Sequence, residues 1–294
     1  MIYGNIVSLK RFEIHDGPGC RTTLFLKGCP LKCRWCHNPE CIHTDAELGY
    51  YDERCIGCGL CAEVCDNGAH IIGESHSFDR KKCKTCGQCA EVCLGDALKL
   101  YGKKVTPSEI LPILLEDRDF YGLDGGVTIS GGEPMMQPDF LEELLRLLKR
   151  EKINTAVDTC GFCSREALER ILPYTDMFLY DIKAYSEKTH LAATGASNRC
   201  ILDNLSYLDS LGCSIEIRVP YIPTMNNNEM ADIGRFLTKL KHITKVKILP
   251  YHNYAKQKYS ALGRTAGYIP LPSSDEIAAV LDLFRTYGLN VVGG

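Results

Sequence analysis

The cysteines are the residues of this sequence whose type and spacing most directly indicate chemistry. There are 17 of them in 294 residues, and eleven fall into three tight groups. Cysteines two or three residues apart usually bind one metal centre, whereas disulfides typically staple small exported chains. The length of the chain and the close spacing therefore favour metal sites over a disulfide framework.

The first group is a short loop that contains Cys29, Cys33 and Cys36. Its spacing, C-x3-C-x2-C, provides three thiolates for three irons of a [4Fe-4S] cubane. The loop offers no fourth thiol, so one iron would keep an open coordination position, as catalytic metal sites do. We therefore expect a catalytic cluster here. The alternative is a zinc site completed by His37, although zinc loops usually take a second pair of ligands from elsewhere.

The other two groups form an internal repeat. The spacing C-x2-C-x2-C-x3-C occurs at 55–65 and again at 83–93, and it resembles that of bacterial two-cluster ferredoxins. In that fold the fourth cysteine of each motif binds the other cluster. The resemblance implies two further [4Fe-4S] sets, which are Cys55, Cys58, Cys61 with Cys93, and Cys83, Cys86, Cys89 with Cys65. The proline that usually follows each fourth cysteine is Asp66 or Leu94 here, which predicts altered potentials rather than lost clusters. The repeat would conduct electrons to the first cluster or would be purely structural.

The elements that must position these groups alternate between strands and helices. Apolar runs predict strands at 22–27, 127–130, 156–158, 177–181, 215–219, 246–249 and 291–292. Helical patterns lie between them, including one with Leu141, Leu144, Leu145 and Leu148, and one that begins with a capping box of Ser273 and Glu276. This rhythm predicts an α/β fold, a partial (β/α)6 barrel formed by 1–48 and 102–294. The small bacterial-ferredoxin-like cysteine-rich insert would occupy 49–101, after the first strand.

Most of the predicted strands end in polar residues or paired glycines. The carboxyl ends of parallel barrel strands form one rim, where ligands bind, so these residues are expected to face one pocket. The alternative is that strand ends are simply polar. The residues concerned are Cys29, Gly131, Gly132, Glu133, Asp158, Thr159, Asp181, Ile182, Lys183, Arg218 and, just past its strand, His252.

Six short motifs, considered together, resemble one enzyme family. They are Ile14-His15-Asp16-Gly17-Pro18-Gly19, Arg21-Thr22-Thr23, Cys36-His37-Asn38-Pro39-Glu40, Ser130-Gly131-Gly132-Glu133-Pro134, Tyr180-Asp181-Ile182-Lys183 and Leu249-Pro250-Tyr251-His252. With the three-cysteine loop they resemble the glycyl-radical-enzyme activating enzymes of the radical S-adenosylmethionine (SAM) superfamily. The resemblance implies that S-adenosylmethionine, the cosubstrate, binds the open iron and is cleaved reductively to a 5′-deoxyadenosyl radical. That radical would remove a Cα hydrogen from a glycine of a partner glycyl radical enzyme, with flavodoxin or ferredoxin as electron donor.

The resemblance also implies which residues contact S-adenosylmethionine. Gly131 and Gly132 would meet its amino group, with Glu133 shaping the contact, while Asp158 and Thr159 would lie near the sulfonium. Trp35 and His37 would border the adenine, Asp181 and Lys183 would lie near charged or ribose groups with His252 close by, and Arg218 would be a carboxylate clamp. Cys36 and Ile182, within the same motifs, complete the expected cofactor-binding set. The plainer alternatives are a surface ion pair between Asp181 and Lys183, a structural His252, and a Trp35 that only packs.

Composition excludes several classes of protein. Hydrophobic residues make up 45% of the chain and charged residues 24%, the balance of a soluble globular protein. The formal net charge of −3 gives no strong attraction to nucleic acid or anionic lipid. No apolar run of about 18 residues and no basic, apolar leader occurs. We therefore expect no membrane span and a cytoplasmic location.

Two alternatives to an activating enzyme stay open at this point. One is a radical SAM peptide or protein side-chain oxidase with auxiliary clusters, which would predict cysteine clusters downstream of the barrel; the other is a ferredoxin-type electron carrier. The pair Cys160 and Cys163 forms a C-x-x-C to which we assign no function. The partner enzyme is not identified, because the expected chemistry is on its glycine and not on its own substrate.

Overall fold

A nine-stranded sheet is the main element of the computed structural model, which describes all residues 1–294. The chain has 13 strands: β1 Gly4–Glu13, β2 Arg21–Leu26, β3 Glu47–Tyr50, β4 His70–Ile72, β5 His76–Phe78, β6 Leu98–Tyr101, β7 Lys103–Val105, β8 Gly126–Gly131, β9 Thr155–Thr159, β10 Met177–Asp181, β11 Ile215–Tyr221, β12 Ile243–Pro250 and β13 Val291–Gly293. The sheet order is β13-β12-β11-β10-β9-β8-β2-β1-β7. In this order, each pair of neighbouring strands from β13 to β2 is parallel. The predicted strands are present and the α/β fold is confirmed.

Helices connect the parallel strands and cover the sheet. They are α1 Leu60–Glu63, α2 Gln88–Glu91, α3 Pro107–Leu115, α4 Arg118–Tyr121, α5 Pro138–Arg150, α6 Arg165–Ile171, α7 Glu187–Thr194, α8 Arg199–Ser210, α9 Met230–Leu237, α10 Lys256–Ala261 and α11 Ser274–Thr286. The predicted leucine stripe of α5 is fully buried in the main core. The capping box of Ser273 and Glu276 begins α11, as predicted. No helix combines the length and the apolar character that crossing a membrane requires.

Two strands at one edge of the sheet were not predicted. Strand β1 pairs antiparallel with β2, and β7 pairs antiparallel with β1. Strand β1 is mostly half-buried or exposed, so it lacks the continuous apolar run of a central parallel strand. Tertiary pairing rather than a strong local pattern therefore forms this edge, and β7 returns the chain from the insert to the main sheet.

The cysteine-rich segment folds into short paired elements beside the sheet. Strands β3 and β6 pair antiparallel across its ends, and β4 and β5 form a hairpin between its two repeats. Each repeat contributes one short helix, and each helix follows a glycine with positive φ, 83° at Gly59 and 87° at Gly87. The predicted limits of the insert, 49–101, lie within this outer pair of strands.

Arg21, which belongs to one of the family-like motifs, is a structural residue at the start of β2. Its side chain is fully buried. The guanidinium donates to Thr128 Oγ1 at 2.7 Å, to Asn154 Oδ1 at 3.0 Å and to the Val127 carbonyl at 3.0 Å. These bonds join β2 to β8 and to the turn before β9. The residue therefore fixes the amino ends of the strands, on the side away from the predicted rim.

Replacing Arg21 with Met should lower the free energy of unfolding by about 3 kcal/mol, because buried acceptors would lose their donor. Urea unfolding of the metal-free protein, followed by circular dichroism, measures this change. The control is Arg150→Met, since Arg150 is exposed at the end of α5. Equal stability of the two variants would contradict a structural role for Arg21.

Candidate functional site

A cavity of about 490 Å³ opens at the carboxyl ends of the parallel strands. Its walls come from the ends of β2 and β8–β12 and from the loops that follow them. The predicted site residues that line it are Cys29, Cys33, Trp35, Cys36, His37, Gly131, Gly132, Asp158, Thr159, Asp181, Lys183, Arg218 and His252. The structure therefore brings groups from distant parts of the sequence to one rim.

Two of the predicted residues do not line the cavity. Glu133 is fully buried behind the wall, where it accepts hydrogen bonds from Thr159 Oγ1 at 2.7 Å and from the Cys160 amide at 2.8 Å. Burial raises the pKa of this carboxyl, while those hydrogen bonds oppose the rise. Glu133 thus ties the loop after β8 to the end of β9. Ile182 packs in the main core instead of facing a ligand.

The three-cysteine loop is held by backbone hydrogen bonds to segments on both sides. The amide of Cys29 donates to Ile42 at 2.9 Å, and the amide of Lys32 donates to Thr194 at 2.7 Å. Burial raises the pKa of Cys29 and of Cys36 to about 12. Such thiols keep their protons at neutral pH unless a metal displaces them. Three buried sulfur donors on one loop facing one cavity fit the ligand set of an iron–sulfur cluster.

The paired glycines at the end of β8 pack directly on the start of this loop. A Cβ at Gly131, where φ is 125°, would lie 2.2 Å from the Leu26 backbone. A Cβ at Gly132 would lie 2.2 Å from the Gly28 carbonyl oxygen. No side chain fits at such distances, since real Cβ contacts are about 3.5–4 Å. The glycines are therefore required by the approach of β8 to the cysteine loop.

Carboxylates and cations alternate along the opposite wall of the cavity. The Arg218 guanidinium lies 3.3 Å from Asp158 and 3.5 Å from Asp16, and Ser130 Oγ donates to Asp158 at 2.6 Å. Burial raises the pKa of Asp158 to about 6, although the Arg218 cation opposes the rise. Arg218 lines the cavity as predicted, but its charge is already paired, which favours a bracing role over that of a carboxylate clamp.

Lys183 and Asp181 form an ion pair, with 2.7 Å between nitrogen and oxygen. The sequence had left open whether these residues contact a ligand or form a surface ion pair. The pair is not on the outer surface, however. The exposed fractions of the two side chains are only 12% and 26%, and both line the cavity. Desolvation strengthens a charge pair relative to one in water. The pair can therefore bind both cationic and anionic groups of a ligand.

Stacked rings form the third wall, next to the cysteine loop. The His37 and His252 rings lie 3.9 Å apart and nearly parallel, and the His37 ring nitrogen Nε2 lies 3.1 Å from the His252 carbonyl oxygen. Burial and the second imidazole lower the pKa of His37 to about 4, so it is neutral at pH 7. Trp35 both lines the cavity and packs on Ile222 and Ile269. A planar aromatic ligand group would find a flat, uncharged surface here.

Two smaller cavities lie within the insert, and each is bordered by four cysteines. One is lined by Cys55, Cys58, Cys61 and Cys93, and the other by Cys65, Cys83, Cys86 and Cys89. These are the two crossed sets that the repeat implies, with each fourth cysteine facing the other motif's cavity. The sulfur donors again fit the ligand sets of cubane clusters.

Comparison with known proteins assigns the chain to a family. Residues 65–237 match the Radical SAM superfamily, and 50–69 match a 4Fe-4S binding domain. A trans-4-hydroxy-L-proline dehydratase activating enzyme from Clostridioides difficile is 39% identical, over 98% of this chain and 99% of its own. An isethionate sulfite-lyase activating enzyme from Nitratidesulfovibrio vulgaris is 42% identical, over 90% and 89% respectively. The chain belongs to the glycyl-radical-enzyme activating enzymes of the radical SAM superfamily.

The fold of this activating enzyme also resembles that of a solved relative. A domain of pyruvate-formate lyase-activating enzyme from Bacteroides vulgatus superposes with a TM-score of 0.50 and 26% identity, covering 57% of this chain and 98% of that one. The reductive cleavage of S-adenosylmethionine to a radical and the presence of [4Fe-4S] chemistry follow from the family. Neither a side-chain oxidase nor a simple electron carrier is favoured by these relatives.

Sequence reasoning missed several lining residues of the activating enzyme's cavity, among them Cys160, Asp16 and Ser130. Cys160 lines it from the end of β9, although its C-x-x-C had been set aside, while its partner Cys163 does not line it. Asp16 reaches it from the turn between β1 and β2, and Ser130 from β8. The only available signal was the position of Asp16 and Ser130 inside family-like motifs. Cys160 carried no signal, because its neighbours across the cavity are remote in sequence.

Replacing Gly132 with Ala should displace the cysteine loop, because the new methyl group would overlap the Gly28 carbonyl. We expect iron bound by this loop, and S-adenosylmethionine affinity, to fall at least tenfold. Iron analysis and calorimetric titration measure the two effects. Gly267→Ala is the matched control, since no atom lies within 4 Å of a Cβ at Gly267. Normal iron and affinity in the Gly132 variant would show that the contact is dispensable.

Arg218→Met should make S-adenosylmethionine binding more sensitive to acid. Without the cation the pKa of Asp158 rises above about 6, so its carboxylate, expected to face the sulfonium, loses charge at higher pH. We expect roughly tenfold weaker binding at pH 7 and recovery at higher pH, with Arg218→Lys close to wild type. Titrations across pH measure the profile. An equal loss of affinity at every pH would instead mean that the guanidinium binds the ligand carboxylate directly.

Proposed function

We propose that this activating enzyme carries three [4Fe-4S] clusters with separate tasks. The Cys29–Cys33–Cys36 loop holds the catalytic cluster with an open corner for S-adenosylmethionine, and the insert at 49–101 holds two more. The observation that carries the proposal is that the eleven motif cysteines border three cavities, with the three loop cysteines at the strand ends, where Cys160 also lies, and four at each insert cavity. Each group has the donor count that its proposed cluster needs.

The protein's residues position the ligand and exclude water, and the bound groups supply the chemistry. When bound, the cluster and S-adenosylmethionine supply a 5′-deoxyadenosyl radical that removes a hydrogen from a glycine Cα. Gly131 and Gly132 fix the cysteine loop, and Glu133 fixes the adjacent wall. Asp158 faces the sulfonium, while the Asp181–Lys183 pair takes the charged and ribose groups. His37 and Trp35 offer the flat surface for adenine.

The macromolecular substrate is a glycyl radical enzyme that presents a glycine loop at the mouth of the cavity. Tyr254, a lining residue of the main cavity, is 81% exposed, and Tyr268 of the adjoining 390 Å³ cavity is 93% exposed. Exposed aromatic side chains of this kind are frequent anchors at protein interfaces. The curated relatives are named for different partner enzymes at similar identity. The partner is therefore set by surface contacts outside the catalytic cavity.

Hydrogen bonds and an ion pair hold the insert at a fixed position against the barrel, as an electron conduit requires. The Arg80 guanidinium donates to the Leu48 carbonyl at 2.7 Å and also bonds the Ala261 carbonyl on α10. Arg264 pairs with Glu47 and donates to the Pro39 carbonyl, beside the cysteine loop, at 2.6 Å. Fixed spacing between clusters favours transfer from reduced flavodoxin or ferredoxin through the insert to the catalytic cluster. The reducing cytoplasm keeps such thiolates available.

A series of cysteine variants tests the open corner of the catalytic cluster. In Cys29→Ala, Cys33→Ala and Cys36→Ala, we expect loss of about one cluster's iron and of 5′-deoxyadenosine release by more than 100-fold, because a cubane with an open iron has no spare ligand. Cys160→Ala is the critical variant, since Cys160 lines the same cavity. It should retain all iron and still release 5′-deoxyadenosine. Loss of the same iron in Cys160→Ala would show a four-thiol cluster with no open corner.

The activity itself is measured as a glycyl radical formed on the partner enzyme. Anaerobic incubation with a reductant, S-adenosylmethionine and a candidate glycyl radical enzyme should give a glycyl radical signal in electron paramagnetic resonance (EPR). The signal should be absent when the partner's radical-site glycine is replaced by alanine. Cleavage of S-adenosylmethionine without a radical on any candidate partner would contradict the proposed substrate.

A further inference from the structure

Two histidines of the β4–β5 hairpin lie between the two insert cavities. His76 lines the cavity of Cys55, Cys58, Cys61 and Cys93, and His70 lines the cavity of Cys65, Cys83, Cys86 and Cys89. The His70 Nδ1 and His76 Nε2 atoms are 2.9 Å apart, a hydrogen bond between the rings. A continuous polar connection therefore joins the two proposed cluster sites, in a segment that none of the sequence motifs included.

His76 also contacts the thiols of its own cavity. Its Nδ1 lies 3.4 Å from Cys55 Sγ, and its Nε2 lies 3.8 Å from Cys61 Sγ. A metal-bound thiolate can only accept, so His76 Nδ1 must carry the proton in the Cys55 contact. The lone pair of Nε2 is then free to accept from His70 Nδ1. With this tautomer, donation runs from His70 to His76 to the Cys55 sulfur, and the 3.8 Å contact between Nε2 and Cys61 Sγ is not a hydrogen bond.

Aromatic neighbours hold both imidazoles in place. The Tyr50 ring centroid is 4.5 Å from that of His76, and the Tyr50 hydroxyl donates to the His76 carbonyl at 3.2 Å. Phe78 stacks on His70 at 4.9 Å with an interplanar angle of 14°. The pair is thus a packed feature of the hairpin.

The histidines break the symmetry between the two repeats. Backbone donors are matched at the fourth cysteines, with the Ala69 amide 3.4 Å from Cys65 Sγ and the Ala97 amide 3.2 Å from Cys93 Sγ. At the first cysteines they differ, since the Thr85 amide lies 3.3 Å from Cys83 Sγ, whereas Cys55 Sγ has the His76 contact. The position of His70 in the first repeat is Leu98 in the second, and Leu98 lines the other cavity. An imidazole donor to a cysteine sulfur therefore exists only on the side of Cys55.

We propose that His76, oriented by His70, donates a hydrogen bond to the Cys55 thiolate and makes the cluster of Cys55, Cys58, Cys61 and Cys93 the more oxidising of the two insert clusters. Donors to cluster sulfurs stabilise the reduced state and raise the reduction potential. An electron in the insert would then rest mainly on this cluster. The inference rests on the proposed function, because it requires both insert clusters.

The test is an EPR redox titration of the anaerobically reconstituted full chain. Cys58→Ser and Cys86→Ser, one from each set, assign the signals to the two insert clusters. His76→Phe keeps an aromatic ring but removes the donor, and it should move only the first cluster to a more negative potential. We expect at least a tenfold change in electron distribution between the two clusters, which is about 59 mV. An exchangeable proton coupled to the reduced first cluster should also disappear.

Two further variants make the result specific. His70→Leu copies the residue of the other repeat and leaves His76 in place, so it should give a smaller shift in the same direction. His43→Phe is the control, because His43 is exposed and lines none of the three cavities. Its potentials should equal those of the wild type.

The outcomes separate this inference from the proposed function. Full iron content with unmoved potentials in both His76→Phe and His70→Leu overturns the histidine inference alone. Failure of the wild-type insert to bind iron overturns the cluster assignment and, with it, the inference. The ligand atoms of Cys61, His70 and His76 all lie within 4.8 Å of one another. Uptake of one zinc ion lost in both histidine variants would therefore replace the inference with a mononuclear site.

Discussion

The packing of the β8 end on the start of the cysteine loop is the contact on which the catalytic cavity depends. The Gly132 amide donates to the Leu26 carbonyl at 2.9 Å, and the Glu133 amide donates to the Gly28 carbonyl at 2.8 Å. These bonds continue the parallel β2–β8 ladder past the strand ends and into the loop. The position of the three thiols is therefore fixed by the sheet itself, and the loop needs little secondary structure of its own.

Burial imposes the second constraint on this cavity. The thiols of the cysteine loop, Glu133 and Asp158 all have raised pKa values because burial excludes water. A set of buried acidic groups is tolerated only with compensating partners. Arg218 and Lys183 provide fixed positive charges, and bound metal would compensate the thiols. The same low-dielectric wall that disfavours unpaired charges strengthens the interactions of the site with a charged ligand.

Cysteines are also among the buried residues of the insert. Its core is small and includes Cys61 and Cys89, so the clusters would serve as much of its interior. The two repeats carry similar short helices at their cysteines, yet the hairpin between them brings an imidazole to cysteine sulfurs, Cys55 and Cys61, on one side only. A duplicated unit has thereby acquired two sites that differ in their hydrogen bonding, and sulfur hydrogen bonding is a main determinant of cluster potential.

The sequence by itself determined the features that depend on local spacing. The cysteine motifs, the parallel strands, the α5 leucine stripe and the α11 capping box are all periodic or short-range patterns, and each is present where it was predicted. The strand-end rule also placed most of the residues that it selected in one cavity, because chain direction in a parallel sheet fixes which ends share a rim.

Tertiary structure alone decided the features that depend on contacts between distant segments. Glu133 lies behind the wall because Thr159 and the Cys160 amide bind it there, and Arg218 is paired because the β1–β2 turn brings Asp16 and strand β9 brings Asp158. Cys160 and the His70–His76 pair gained their positions in the same way. Their neighbours are set by packing rather than by spacing along the chain, so no local sequence pattern predicts these contacts.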